Sequence, residues 1–222
     1  MAQTFTFTCN SSSTIGYAQY GSSTWNTGSS NGACQGAYQG TTAAKSRVGV
    51  MMFTGAGTAL KGKVIQQIVF SITCSAAGSS SSSKVLTFKQ AKYQAPASGL
   101  KGSDLVGTTL GTLTGKFYSN TVTHTLNAST NAALFQNMAA YFAAGNQTLV
   151  IHNGETSTSS GYSTNYCRIT SITITVTYVA ATVWYNNNGT WVQCAVYYCN
   201  AGTWVQVTPF YNSGGSAPEV GL

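Results

Sequence analysis

Acidic residues are almost missing from this sequence. Asp and Glu together number 3 in 222 residues, against 10 Lys and Arg, for a net charge of +7. Charged residues make up 6% of the chain, where soluble domains carry about 25%. So few carboxylates do not readily supply the acid pair of a glycoside hydrolase or the oxygen cage of a calcium site. No apolar run approaches the ~18 residues of a membrane-crossing helix, so no membrane insertion is expected. There is no C-x-x-C and no His at ligand spacing, so no metal is expected. His-Glu-x-x-His and phosphate-loop motifs are also missing, and with them two usual signatures of catalysis or of a cofactor. The first residues, Met1 to Thr8, lack the basic head and apolar segment of a secretory signal, which predicts folding in a cytosol.

What fills the surface instead is Ser, Thr, Asn, Gln, Gly and Tyr, while a hydrophobic share of 43% excludes a disordered tail. The positive charge is thinly spread. Its densest grouping, Lys84, Lys89 and Lys92, runs along one predicted strand, whereas nucleic-acid binding needs a clustered stripe or a recognition helix. The sequence therefore reads as poor in acids rather than built for nucleic acid.

Alternation predicts strands over 3–8, 14–20, 46–54, 63–74, 84–93, 104–112, 116–126, 147–152 and 167–179. The last is the plainest: Ile172, Ile174, Val176 and Tyr178 share one face, and Ser171, Thr173, Thr175 and Thr177 the other. Threonine is β-branched, so a sheet can carry a hydroxyl-covered wet face without losing strand propensity. One segment has helical spacing. Leu134, Phe135, Met138, Tyr141 and Phe142 predict an amphipathic helix over about 130–144, capped by Ser129 or Thr130 and closed by Gly145. The serine run 78–83 reads as a hairpin tip between the strands at 63–74 and 84–93, and 21–42 reads as a long exposed loop.

Six cysteines stand at 9, 34, 74, 167, 194 and 199. On one extended strand Cys194 and Cys199 would lie ~16 Å apart on opposite faces, so free and mostly buried thiols are expected. Any enzyme would have to be assembled from His124, His152, Asp104, Glu155 and the abundant hydroxyls. His124 alternates with Val122 and Leu126 and reads as a structural histidine, while His152 and Glu155 are close enough to interact. Binding has more support: Trp25, Tyr38 and Tyr162, in Gly/Ser/Asn-rich stretches, offer stacking faces for sugars beside adaptable hydrogen-bonding groups.

The C-terminal region repeats itself. Gly189-Thr190-Trp191-Val192-Gln193 recurs as Gly202-Thr203-Trp204-Val205-Gln206, each copy preceded by an aromatic strand and an Asn-x-Gly turn. This predicts a three-stranded meander, 182–186, 190–199 and 203–208, with a shared central strand. So small a unit cannot bury Trp184, Tyr185, Trp191, Tyr197, Tyr198, Trp204 and Phe210 by itself. These aromatics must meet the main domain, a ligand or another copy, and are the candidate oligomer or attachment interface. The expected domains are a β-sandwich at 1–179, the aromatic repeat module at 180–212 and a flexible tail at 213–222.

The paired Gly-Thr-Trp-Val-Gln hairpins resemble C-terminal aromatic repeats of tailed-bacteriophage structural proteins. Segment 141–178 looks like the closing half of the jelly-roll-like sandwich found in the same proteins. In strand order that sandwich is similar to DNRLRE domains, with 47–53 and 63–70 as consecutive strands. The resemblance implies an all-β, jelly-roll-like sandwich and a non-enzymatic, fibre-like virion protein, folded in the host cytosol and working in the extracellular particle. Its partners would be other copies of itself, usually as a trimer, neighbouring virion proteins and bacterial surface polysaccharide. A purely architectural subunit, such as a capsid decoration, head fibre or extracellular filament, is the alternative.

Overall fold

The computed structural model describes residues 2–38, 46–75, 82–95, 99–155, 161–179, 183–187, 190–194, 196–200 and 203–207; for the last four stretches it describes the backbone alone. The fold is all-β. Fifteen strands are described, β1 (Gln3–Cys9), β2 (Ile15–Gln19), β3 (Trp25–Thr27), β4 (Ala33–Ala37), β5 (Ser46–Met52), β6 (Val64–Cys74), β7 (Lys84–Ala91), β8 (Val106–Gly115), β9 (Thr121–Asn127), β10 (Thr148–Ile151), β11 (Cys167–Val179) and four more in the repeat. Every described pairing is antiparallel. Among the described residues no helix is long and apolar enough to cross a membrane.

Two layers form the sandwich. In one, β11 is flanked by β6 and then β9 on one edge and by β1 on the other. The second layer runs β8-β7-β10-β5-β2-β3. Short β4 joins them, pairing with β11 through 33–35 and with β5 through Gly36 and Ala37. The expected loop 21–42 thus contains the strands β3 and β4, and all five residues of β4 are buried. Its crossing needs small residues: a Cβ on Gly49 of β5 would lie 2.8 Å from the Cys34 nitrogen and 2.9 Å from its oxygen. Gln35 is fully buried, and its amide donates to the carbonyls of Val85 (2.7 Å) and Asn165 (3.1 Å) while accepting from the Thr87 N–H (2.8 Å). The alternating strand β11 behaves as its sequence requires, with Ile172, Ile174, Val176 and Tyr178 inside.

The opposite face of this layer is hydroxyl-rich. Thr6, Thr175, Val69 and Thr125 form one row across four strands, and Thr8, Thr173, Ser71 and Thr123 the next. Side-chain hydroxyls bond across the rows between Thr8 and Thr173 (2.8 Å) and between Thr73 and Thr121 (3.0 Å). Cross-strand hydroxyl pairs thus take the place that ion pairs occupy on more charged sheets.

Helix α3 (Ala132–Ala143) buries the five residues that the spacing selects, packing on β6, β8 and β9. Its N-cap is Asn131 in the left-handed region rather than Ser129 or Thr130; those two donate their N–H groups to Asn127 Oδ1 instead. Two short helices, α1 (Ala56–Leu60) and α2 (Gly102–Leu105), have no counterpart in the expected elements, and α2 takes the start of the strand placed at 104–112. The opening residues of the strand placed at 116–126 are turn, with β9 starting at Thr121. Strands β6 and β7 belong to opposite layers, so the serine run links two sheets rather than tipping a hairpin; Phe70 and Phe88 stack across the core at 5.5 Å. Most of that run lies outside the described residues.

In the repeat, β12 (Val183–Asn187) pairs with β13 (Thr190–Cys194), and β14 (Val196–Asn200) with β15 (Thr203–Val207). These are two separate two-stranded hairpins instead of one meander, because the expected central strand is divided between them. Both hairpins are centred where the Asn-x-Gly turns predict.

Candidate functional site

The pleat of β2 separates two surfaces. Ile15 and Tyr17 point into the sandwich, whereas Gly16 and Ala18 face outward toward β3, where Ala18 pairs with Trp25. On the outer side Trp25 packs against a cluster of Ala18, Val48, Val50, Ala91, Leu105 and Val150. Beside it is a cavity of ≈ 120 Å³ bounded by Trp25, the hydroxyl residues Ser12, Ser13, Thr14 and Thr27, and the apolar Val50 and Met52. The Ser12–Thr14 rim is fixed locally: Thr14 Oγ1 accepts from the N–H groups of Asn10 (3.1 Å) and Ser11 (3.0 Å), and the Met52 N–H reaches the Thr14 carbonyl at 2.8 Å. The indole N–H of Trp25 is buried without an acceptor among the described residues. An aromatic side chain and a hydroxyl rim in one concavity suit a neutral, hydroxyl-bearing ligand.

On the inner side, at one end of the sandwich, five polar aromatic and cationic side chains converge. Arg47 lies on β5 with the same parity as Met51 and so points inward. Its guanidinium carbon stands 4.3 Å from the ring centre of Tyr17 and 4.8 Å from that of Tyr38. Nη1 donates to the Tyr166 hydroxyl (2.5 Å) and toward Cys34 Sγ (3.7 Å). Tyr38 and Tyr162 form an isolated antiparallel bridge with rings 4.6 Å apart, and Tyr162 lies 4.6 Å from Tyr166. Burial raises the pKa of the Tyr166 hydroxyl and the Cys34 thiol, so both are neutral near pH 7.

The three glycan-contact candidates therefore do not form one surface. Tyr38 and Tyr162 come together; Trp25 is strand-borne, partly buried and on the other side of β2. Sequence reasoning missed Arg47, Tyr17 and Tyr166 as members of a site. The usable signal was a single arginine sharing the inward parity of an otherwise apolar strand. The side chains of Trp184, Tyr185, Trp191, Tyr197, Tyr198 and Trp204, and all of Phe210, lie outside the described residues.

The histidines are held structurally. His152 is 5% exposed, stacked on Tyr20 at 4.8 Å, and its pKa is lowered to about 4 by burial first and then by Lys89. Ser46 links it to Glu155: the Ser46 hydroxyl donates to the Glu155 carbonyl (2.5 Å), so its 3.3 Å contact with His152 Nε2 uses the serine oxygen as acceptor. That direction leaves the serine proton on a carbonyl rather than on a general base. The Glu155 carboxylate itself accepts from Asn165 N–H (3.3 Å) and Nδ2 (3.2 Å). His124 packs on Phe117 at 5.5 Å, and burial lowers its pKa. Asp104 caps α2 by accepting the Lys101 N–H. Lys84 is buried and donates to the Thr164 carbonyl, while Lys89 donates to Thr109. Among the described residues, no three His, Cys, Asp or Glu side chains gather as metal ligands. Compared with known proteins, the chain matches no family model and no curated protein.

Proposed function

We propose that this chain is a non-enzymatic structural protein of a bacteriophage particle, fibre- or tail-tip-like, that binds a host-surface glycan. The observation that carries the binding half is the Trp25 cavity, where a ring face and four hydroxyl residues bound ≈ 120 Å³. The particle half is supported by the resemblance of the Gly-Thr-Trp-Val-Gln repeat to phage structural proteins. A glycan array probed with the full chain and with Trp25→Ala tests the binding half. Loss of signal in the variant is expected, with circular dichroism unchanged; undiminished binding removes Trp25 from the site, and binding of no glycan by either protein overturns the reading.

The charge-free threonine face favours the architectural alternative, a subunit whose only contacts are with copies of itself or its neighbours. That alternative predicts a discrete oligomer by native mass and no glycan binding. Glycan binding by a monomer refutes it.

A further inference from the structure

We propose that the Arg47 cluster is a second binding site, specific for the carboxylate of an acidic sugar, with Arg47 receiving the carboxylate and Tyr38 and Tyr162 stacking on the sugar ring. It rests on the glycan reading and adds to it a separate place and a chemical class.

Among the described residues, Arg47 is a partly buried cation without a counter-ion. It bonds Tyr166 and Cys34 and lies against the rings of Tyr17 and Tyr38, none of them a carboxylate. Glu155, the acid at this end of the fold, accepts from Asn165 through Oε1, and its Oε2 is buried without a hydrogen-bond partner among the described residues rather than bonded to Arg47. A second cation, Arg168 on β11, acts on Tyr17, Cys34 and Tyr162, while its own Nε is engaged by Ser75. Neither arginine thus has a carboxylate among its hydrogen-bond partners in the described residues.

The orientation of Arg47 narrows the ligand to an anion that presents two oxygens side by side. Both of its bonds to described residues are made by Nη1. Nε and Nη2 have no partner among the described residues, and neither is among the buried unpartnered atoms, so both reach solvent. Those two nitrogens are the side-on edge of the guanidinium, whose parallel N–H groups match the two oxygens of a carboxylate. Because the rings of Tyr17 and Tyr38 already hold the guanidinium, little ordering remains for the ligand to impose. Beside this edge, Tyr162 is 36% exposed and forms with Tyr38 the aromatic surface on which a sugar ring can lie.

The test measures binding of the full chain to a glucuronate-containing tetrasaccharide and to the same tetrasaccharide after carboxyl reduction to glucose, by calorimetry at low salt. The wild-type protein is expected to prefer the acidic form at least tenfold. Arg47→Gln should abolish the preference, Arg47→Lys should keep part of it, and Tyr162→Ala should weaken binding to the acidic form. Equal wild-type binding of both forms overturns the proposal without any variant having to fold, and so does binding of neither form. If the array then still shows Trp25-dependent glycan binding, the wider reading stands and only the second site is lost; if it shows none, both fall. Poly(glycerol phosphate) is the further arm. Its binding in preference to the glucuronate sugar would overturn the carboxylate assignment.

Discussion

Acid should destabilise this protein through its histidines, and the effect can be sized. An ordinary domain loses stability at low pH mainly by protonating paired carboxylates, but this chain has 3 acidic residues and 2 histidines. His152 has a folded pKa of about 4, against the ordinary 6.5, because it is buried under Tyr20 and repelled by Lys89. Between these values the unfolded chain takes up a proton and the folded chain does not, so stability falls as the pH is lowered. Linkage gives a loss of about 2 kcal/mol at about pH 5 and about 3 kcal/mol at about pH 4, relative to about pH 8. The His124 shift, also downward with burial, adds in the same direction. Urea unfolding followed by circular dichroism across this range measures it. His152→Gln keeps a polar neighbour for Ser46 but cannot titrate, so it should remove most of the slope between about pH 7 and about pH 5. A wild-type stability flat over that interval, or a full slope retained in His152→Gln, would refute the argument.

Gln35→Ala should cost about 2–4 kcal/mol in urea unfolding, since it strands two carbonyls and one N–H where β4 meets β7 and the 163–166 turn. Tyr141→Phe should cost about 1–3 kcal/mol by the same measurement, because its hydroxyl donates to the Thr148 carbonyl (2.6 Å) and accepts from the Ala91 N–H (3.1 Å). Cys9, Cys34, Cys74 and Cys167 are buried free thiols, with Cys74 pushed up to about 12. In a chain with Cys194 and Cys199 replaced by serine, labelling by a thiol reagent should therefore wait for unfolding; rapid native-state labelling would contradict this.

Much of the fold was legible where burial is one-sided. β11 shows it as strict alternation, and α3 as the 3.6-residue spacing of five apolar side chains. β4 gave no such signal because it is buried on both faces, and its Ala-Cys-Gln-Gly-Ala composition answers a close crossing over Gly49 rather than a wet surface. The serine run misled for a related reason: β6 and β7 each alternate, and alternation does not say whether two strands pair in one layer or face each other across the core. Of the site, the aromatics Trp25, Tyr38 and Tyr162 were legible as types. Their division between two faces depends on the parity of Tyr17 and Ala18 on β2, which emerges only when the partners of β2 are known.

The scarcity of charge also separates what holds the protein together from what it is proposed to bind. Hydroxyl rows, buried amides and rings over Arg47 contribute neutral or short-range interactions, whereas recognition of a carboxylate by Arg47 adds a charge pair at the protein surface. Raising the salt from about 0.1 M to about 1 M shortens the screening length from ~10 Å to ~3 Å. Stability should then change by less than about 1 kcal/mol, because surface ion pairs contribute so little of it. The preference for the glucuronate sugar should shrink over the same interval, while binding at the neutral Trp25 cavity stays nearly constant. A large loss of stability with salt would mean that charge pairs support the fold after all. A salt-independent preference would mean that the sugar is recognised by shape and hydrogen bonds rather than by the cation that the tyrosines hold.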